Sequence, residues 1–534
     1  MKHLFKFSVC ALTFAMSTAT GTAQNSGTGL KDAYKDYFSI GVAVNMRNIT
    51  TPEQIAIIKN DFNSITAEND MKPQPTEPAY GQFNWENADK IADFCRSNGI
   101  KLRGHCLIWH SQIGQWMYQD EKGNPVSKEK LFANMKHHIT AIMERYKDVV
   151  YAWDVVNEAI SDGGWQGSRP GMGQQSGPYR NSPLYQIAGD EFIKKAFIYA
   201  REVDPDVLLF YNDYNAADPG KRDRIYNMVK AMKEEGVPID GIGMQGHYNI
   251  YGPSMEDVDA ALTKYSTIVK HIHITELDIR ANEEMGGQLN FSREAGNISP
   301  VVKTLQEDQY ARLFRVLRKH KDVVDNVTFW NLSDRDSWLG ARNYPLPYDE
   351  NYKPKPVYNI IKDFDPALDV AEVKEDFRPS TLNQPGQQYP MVNSQGYARF
   401  RVVAPDAKSV IVSLGLGGRG GTVLRKNKEG VWVGTTDGPM DEGFHYYHLT
   451  IDGGVFNDPG TLNYYGSCRW ESGIEIPAHD SDFYAMKQVP HGNVQQVYFY
   501  SKSTNAHRRA FVYTPPTYGK DKKKYPRSEE HTSE

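Results

Sequence analysis

Cysteine is scarce, with four in 534 residues, and none sits at metal-ligand spacing. Neither a disulfide framework nor a structural metal cluster is indicated. Cys10 falls in the leader discussed below, which leaves Cys95, Cys106 and Cys468. This odd set reads as small buried hydrophobes, with a Cys95–Cys106 bridge as the alternative. There is no dense basic patch and the net charge is −5, which disfavours a nucleic-acid partner. Beyond the leader, no segment approaches the ~20 apolar residues that a bilayer-spanning helix needs, so no membrane span is expected. No Gly-rich phosphate turn follows the first strand pattern, and Gly-x-Ser-x-Gly occurs nowhere. A dinucleotide fold and a serine-hydrolase elbow are both disfavoured. Composition is globular, at 40% hydrophobic and 12% aromatic, and the length calls for two or more domains.

What is present begins with a processing segment. Lys2 and Lys6 precede a largely apolar stretch from Val9 to Met16, and Gly21-Thr22-Ala23 supplies small residues before a cut near Gln24. Residues 1–23 are expected to be a signal peptide, and the protein to be secreted or periplasmic in a bacterium.

From residue 38 to 364, short apolar runs alternate with amphipathic stretches. Strands are expected over Phe38–Asn45, Ser64–Asn69, Lys101–Trp109, Tyr151–Glu158, Leu208–Asn215, Gly241–Tyr248, His271–Ile279 and Asn326–Asp334. Helical patterns separate them, among them Lys128–Lys147, Met255–Tyr265 and Glu307–Lys321, and Val357–Phe364 closes the series. Eight such units predict an α/β fold, a (β/α)8 TIM barrel, over residues 24–364; an open doubly wound sheet is the competitor. Polar, ionisable and tryptophan residues crowd the C-terminal ends of these strands: Glu68, His105, Trp109, Asn157, Glu158, Asn215, His247, Glu276, Asp278 and Trp330. That end of such a barrel carries the active site.

Trp153-Asp154-Val155-Val156-Asn157-Glu158 ends the fourth strand and Ile274-Thr275-Glu276-Leu277-Asp278 the seventh. Strands four and seven face each other across an eight-stranded barrel. Glycoside cleavage needs two carboxyl groups flanking the scissile bond, about 5–5.5 Å apart for retention and roughly 6.5–9.5 Å for inversion. Further blocks surround this pair: Thr66-Ala67-Glu68-Asn69-Asp70-Met71-Lys72, Arg103-Gly104-His105-Cys106-Leu107-Ile108-Trp109-His110, Tyr211-Asn212-Asp213-Tyr214-Asn215, Gly243-Met244-Gln245-Gly246-His247, and Phe329-Trp330 with Ser337-Trp338.

On these blocks the chain resembles glycoside hydrolase family 10, the xylanases, over residues 30 to 364. The resemblance implies endo-hydrolysis of β-1,4-xylosidic bonds with retention. Glu158 is then acid/base and Glu276 nucleophile, with Asn157 on the sugar 2-hydroxyl. His247 holds the nucleophile, and Asp278 polarises that histidine. Glu68, Asn69, Lys72, His105, Trp109 and Gln112 line the non-reducing subsites, with Asn215 and Gln245 as further contacts. Trp330 and Trp338 wall the cleft and crowd a hydroxymethyl group, favouring xylose over glucose. Read alone, Trp109, Trp330 and His105 also fit core positions, and Lys72 a surface lysine. The expected ligands are xylan and xylo-oligosaccharides, with no cofactor, no metal and a monomeric state. A non-catalytic glycan-binding barrel is the reading from another class, but both carboxylates are present. Two positions depart from the family: Cys106 replaces threonine, facing away from the mouth by strand alternation, and Asn331 replaces glycine, where it alters the reducing-side rim.

Residues 365–390 carry Pro366, Pro379, Pro385 and Pro390 and read as a linker. From 391 to 483, alternating strands with Gly and Asp turns predict a small immunoglobulin-like β-sandwich. It resembles the module, related to carbohydrate-binding family 48, that precedes family 1 carbohydrate esterases, through Gly443-Phe444-His445-Tyr446-Tyr447, Asn457-Asp458-Pro459 and Ser472-Gly473-Ile474-Glu475-Ile476-Pro477. Trp432, Tyr464, Tyr465 and Trp470 either stack on sugars or pack as core. Residues 484–526 resemble the truncated start of such an esterase, through Arg508-Arg509-Ala510-Phe511-Val512-Tyr513. Residues 527–534 back-translate into a common sequencing adapter and are expected to be a non-native tail.

Overall fold

The structure, a computed structural model, describes residues 29–163, 177–281, 296–414, 421–466, 469–520 and 524–525. The expected signal peptide with Cys10, residues 164–176 after strand four, Cys468 and the expected tail lie outside the described residues.

Strands covered on both faces read as continuous apolar runs, and eight such runs build the first unit. They are β1 (Ser39–Val44), β2 (Ser64–Ala67), β3 (Lys101–Trp109), β4 (Val150–Asn157), β5 (Leu208–Asp213), β6 (Gly241–Met244), β7 (His271–Arg280) and β8 (Val324–Phe329). All pair in parallel in the order β6-β5-β4-β3-β2-β1-β8-β7, and β6 pairs with β7 to close the ring. Closure gives the expected TIM barrel and excludes the open sheet.

A helix follows each strand: α1 (Pro52–Asp61), α2 (Glu86–Asn98), α3 (Lys128–Tyr146), α4 (Glu191–Val203), α5 (Pro219–Glu234), α6 (Met255–Tyr265), α7 (Pro300–Lys319) and α8 (Pro356–Lys362). In α3 the Ser127 hydroxyl caps the Lys130 N–H, and Leu131, Met135, Ile139, Ile142 and Tyr146 recur at three- and four-residue spacing to bury one face.

Three elements differ from expectation by more than two residues at one end. Helix α7 starts at Pro300 rather than Glu307, because Pro300 occupies the first helical position and Ser299 accepts from the Val302 N–H. Strand β6 stops at Met244, since Gly246 turns the chain at φ 86° before a short strand, His247–Asn249, rejoins β7. Strand β8 stops at Phe329, and Asn331 turns away at φ 94°. Cys95 and Cys106 are both buried and unbridged. No helix among the described residues is long and apolar enough to cross a membrane.

The chain divides after Val370. In the second unit, one antiparallel sheet joins Arg378–Pro379, Met391–Val392, Ala398–Val403, Val431–Thr435 and Arg425–Lys426. The other joins Thr422–Val423, Val410–Leu414, Gly443–Ile451, Arg469–Ile476 and Asn463–Gly466, with Gly454–Phe456 beside Gly443–Ile451. Phe400, Val412, Trp432, Tyr447, Leu449 and Ile474 fill the sandwich between them. Of the stretch 365–390, Pro366–Asp369 is a helical turn of the first unit, and Arg378–Pro379 already pairs into the sandwich. Asn493–Ser501 and Ala506–Thr514 form a separate antiparallel hairpin with mostly exposed side chains.

Candidate active site

Strand ends at the C-terminal mouth of the barrel surround a cleft of about 540 Å³. It is lined by Glu68, Asn69, Lys72, His105, Trp109, Gln112, Asn157, Glu158, Tyr214, Asn215, Gln245, His247, Glu276, Trp330 and Trp338. Every expected site residue is in this wall except Asp278, which stands behind His247. Tyr214 is the addition.

Glu276 leaves β7 with its carboxylate almost covered, at 5% exposure. Its Oε1 accepts from Asn212 Nδ2 at 2.8 Å, and its Oε2 lies 3.2 Å from His247 Nε2. His247 Nδ1 lies 2.9 Å from Asp278 Oδ2, which also accepts from Trp338 Nε1 at 2.9 Å. Burial alone would make His247 a weaker base. The Asp278 and Glu276 carboxylates outweigh that and raise it to about 10, so an imidazolium spans the two acids. Burial also pushes Glu276 upward, but the hydrogen bond from His247 and the nearby histidine charges bring it below the usual glutamate range. The carboxylate is held ionised.

Glu158 sits one residue past β4 at φ 58°, a left-handed conformation that costs a non-glycine residue energy and is common at functional positions. Both sides of its peptide are tied down: its N–H donates to the Asn212 carbonyl at 2.9 Å, and its own carbonyl accepts from Arg180 Nε at 2.8 Å. Its Oε2 accepts from Trp109 Nε1 at 3.0 Å, and its Oε1 from Gln245 Nε2 at 2.9 Å and Asn157 Nδ2 at 3.3 Å. Gln112 and Asn215, also in the wall, share the positive φ, at 39° and 53°.

The groups at the ends of β2 and β3 are equally constrained. His105 Nδ1 bonds Asp154 Oδ2 at 2.8 Å, and its ring meets Trp330 edge-on at 5.3 Å. Arg103 grips Asp154 with both terminal nitrogens deep in the barrel. Burial would raise the Asp154 carboxyl, yet Arg103 and His105 hold it at about 2. Lys72 is buried rather than a surface lysine, donating to Asn69 Oδ1 at 2.9 Å and lying 5.1 Å from the Trp109 ring centre. Burial raises the Glu68 carboxyl above its ordinary range.

These contacts identify residues that the strand-end pattern did not single out for roles. Asn212, Asp154 and Arg103 are buried beneath the wall, and Arg180 holds Glu158 by its backbone. Tyr214 donates to Asp162 Oδ2 at 2.5 Å and accepts from Arg180 Nη2 at 2.7 Å. Asn331 is buried rather than on the rim, and its Oδ1 accepts the Trp338 N–H at 3.1 Å. Its φ of 94° is the reason glycine suits this position. Among the described residues no group of three or more His, Cys, Asp or Glu side chains is arranged to hold a metal.

Two glutamates on β4 and β7 line one cleft, one contacted by tryptophan and amide donors and the other by a histidine, which fits the demand of glycoside cleavage for two carboxyl groups. The family model described as Glycosyl hydrolase family 10 matches residues 29–364. The chain belongs to glycosyl hydrolase family 10. Among relatives, it is 63% identical over 524 residues to a Xylanibacter ruminicola protein named endo-1,4-beta-xylanase/feruloyl esterase, covering 96% of this chain and 72% of that one. It is 37% identical over 332 residues to endo-1,4-beta-xylanase B of Paenibacillus barcinonensis, covering 61% of this chain and 95% of that one. A solved psychrophilic family 10 endo-beta-1,4-xylanase superposes with a TM-score of 0.59 at 68% identity, covering 63% of this chain and all of that chain. The family 10 match ends near the close of the barrel unit, whereas the Xylanibacter relative extends through the second unit.

Proposed function

We propose that this family 10 enzyme hydrolyses internal β-1,4-xylosidic bonds in xylan and xylo-oligosaccharides by double displacement with retention. Glu158 protonates the glycosidic oxygen while Glu276 attacks C1, so the C1–O bond breaks and a glycosyl-enzyme ester forms on Glu276. Water then attacks C1, Glu158 takes its proton, and the Glu276 carboxylate is released with the β configuration restored. His247 and Asp278 keep Glu276 aimed and ionised, and Asn157 donates to the 2-hydroxyl as oxocarbenium character develops. Glu68, Asn69, Lys72, His105, Trp109 and Gln112 hold the glycone, Asn215 and Gln245 contribute further contacts, and Trp330 and Trp338 select xylose.

The observation that carries this reading is the contrast between the two carboxyl groups. One is held charged by a protonated histidine, and the other is presented by neutral donors at a strained strand end. Hydrolysis of xylan, with cellulose and mixed-linkage glucan as controls, tests it in the wild type and in Glu276→Ala. Cleavage of xylan by the wild type only, with the β anomer appearing first by proton NMR, is expected; an initial α anomer overturns retention.

Residues 1–23 act as a cleavable signal peptide in this reading, which makes the enzyme secreted or periplasmic, and it works as a monomer. The Xylanibacter relative's name joins a feruloyl esterase to a xylanase. That supports a bifunctional parent gene, with the sandwich and hairpin leading into the esterase.

A further inference from the structure

Asn212, on β5, is fully buried and belongs to neither catalytic strand, yet it touches all three groups at the cleavage point. Its carbonyl accepts the Glu158 N–H at 2.9 Å. Its Nδ2 lies 2.8 Å from Glu276 Oε1 and 3.0 Å from Asn157 Oδ1, and its Oδ1 accepts from the Thr275 hydroxyl at 2.6 Å. The fit is close: a Cβ on Gly243, the neighbour of Asn212 on β6, would lie 2.3 Å from Asn212 Oδ1.

An amide has a donor end and an acceptor end, and an ionised carboxylate only accepts. The Asn212 atom against Glu276 must therefore be Nδ2, which leaves Oδ1 for the Thr275 hydroxyl. The second hydrogen of that Nδ2 points at Asn157, whose facing atom must then be Oδ1. Gln245 Nε2, 3.2 Å away, donates to the same oxygen. With its oxygen committed on two sides, Asn157 turns its own Nδ2 towards Glu158 Oε1 and the cleft.

We infer that Asn212 is a positioning residue that transmits the negative charge of Glu276 to the amide of Asn157, fixing which end of that amide meets the substrate 2-hydroxyl. The inference rests on the proposed role of Asn157 at that hydroxyl. Asn212 touches no substrate; it sets the polarity of a group that does. In Asn212→Asp a carboxyl group instead faces both Glu276 and Asn157; it shares one proton with Glu276, which leaves it no hydrogen to give Asn157. Asn157 then favours presenting Nδ2 inward and Oδ1 to the sugar, and the added charge makes Glu276 harder to ionise.

The test uses 2,4-dinitrophenyl β-xylobioside, whose leaving group needs no acid, and its analogue lacking the 2-hydroxyl on the sugar beside the nucleophile. kcat/KM is measured for wild type, Asn157→Ala, Asn212→Asp and the near-isosteric Thr275→Val. Asn157→Ala is expected to lose roughly a hundredfold on the parent substrate, as for loss of one well-placed donor, and little on the deoxy analogue. Asn212→Asp should show the same selective loss together with an upward shift of the acidic limb of the pH profile. Thr275→Val, which removes the donor that pins Asn212 Oδ1, should show a smaller loss with the same selectivity. If Asn157→Ala is selective but Asn212→Asp and Thr275→Val impair both substrates equally, Asn212 is a structural residue only and the inference is overturned. If Asn157→Ala itself impairs both equally, the 2-hydroxyl role of Asn157 falls, and the inference with it.

Discussion

In the barrel unit, Trp109 and Trp338 donate their indole N–H groups to Glu158 and Asp278, whereas in the second unit Trp432 donates to the backbone carbonyl of Ala404. The same side chain thus donates to a carboxyl group at the cleft in one unit and packs in the core of the other. Charges follow the same division. The barrel buries Arg103 with Asp154, and Lys221 with Asp213, in its interior. In the sandwich the ion pairs, such as Arg399 with Glu375, sit nearer solvent. Burying an ion pair costs desolvation that its attraction only partly returns, so a concentration of such pairs beneath one barrel mouth signals chemistry there. The second unit has its aromatic excess outside. Trp470 is 48% exposed, packed edge-on against Tyr465 and near Phe511 of the hairpin.

The contrast is broken most severely at the nucleophile. Glu276→Ala should reduce kcat on xylan by about 10⁵-fold or more, the scale seen when a covalent nucleophile is removed, while the second unit's thermal transition stays in place. Next comes the buried pair. Asp154→Asn strands the Arg103 charge and should destabilise the barrel by about 3–5 kcal/mol, seen as a lower barrel transition by calorimetry with the sandwich transition unmoved. The wild-type sign is also fixed. Asp154 titrates lower folded than unfolded, so its contribution is complete above about pH 4 and is lost as pH falls through about 2.

Trp432→Ala should produce the mirror image, costing the sandwich about 3–5 kcal/mol and leaving xylan hydrolysis unchanged. Asp278→Asn should lower kcat/KM by about a hundredfold, near 2.7 kcal/mol. It removes a carboxylate that keeps His247 protonated, so the acidic limb of the kcat/KM profile, placed below the ordinary glutamate value of about 4.3, should rise. The smallest effect is expected at Trp470, where Trp470→Ala should change hydrolysis of soluble xylo-oligosaccharides by less than about twofold and stability by about 0.5 kcal/mol or less. A large loss of hydrolysis there would show that the second unit takes part in catalysis.

Much of the barrel was legible because strands covered on both faces leave unbroken apolar runs, and because Glu158 closes one such run and Glu276 interrupts another. Of the wall residues, Glu68, His105, Trp109, Asn157, Asn215, His247 and Trp330 stand out at expected strand ends, whereas Asn69, Lys72, Gln112, Gln245 and Trp338 are named only by the resemblance to family 10. What escaped was local backbone and indirect contact. The glycine turn at Gly246 split the sixth strand, and the Ser299–Pro300 start lengthened α7. Arg180 was hidden because it acts on Glu158 through a carbonyl, which leaves no mark on side-chain pattern. Arg378–Pro379 looked like spacer because a two-residue strand has too few alternating positions to show a period.

The succession of eight strand–helix units, the two glutamates on the fourth and seventh strands and the change to a β-rich pattern across residues 365–390 follow from the sequence by itself, since periodicity and residue type are local properties. The ionisation of Glu276, the imidazolium at His247 and the orientation of the Asn212 and Asn157 amides were decided only by the tertiary structure. Each depends on which end of a neighbouring dipole or charge lies within 3.2 Å. That proximity is made by the closure of β4 through β7 around one cleft.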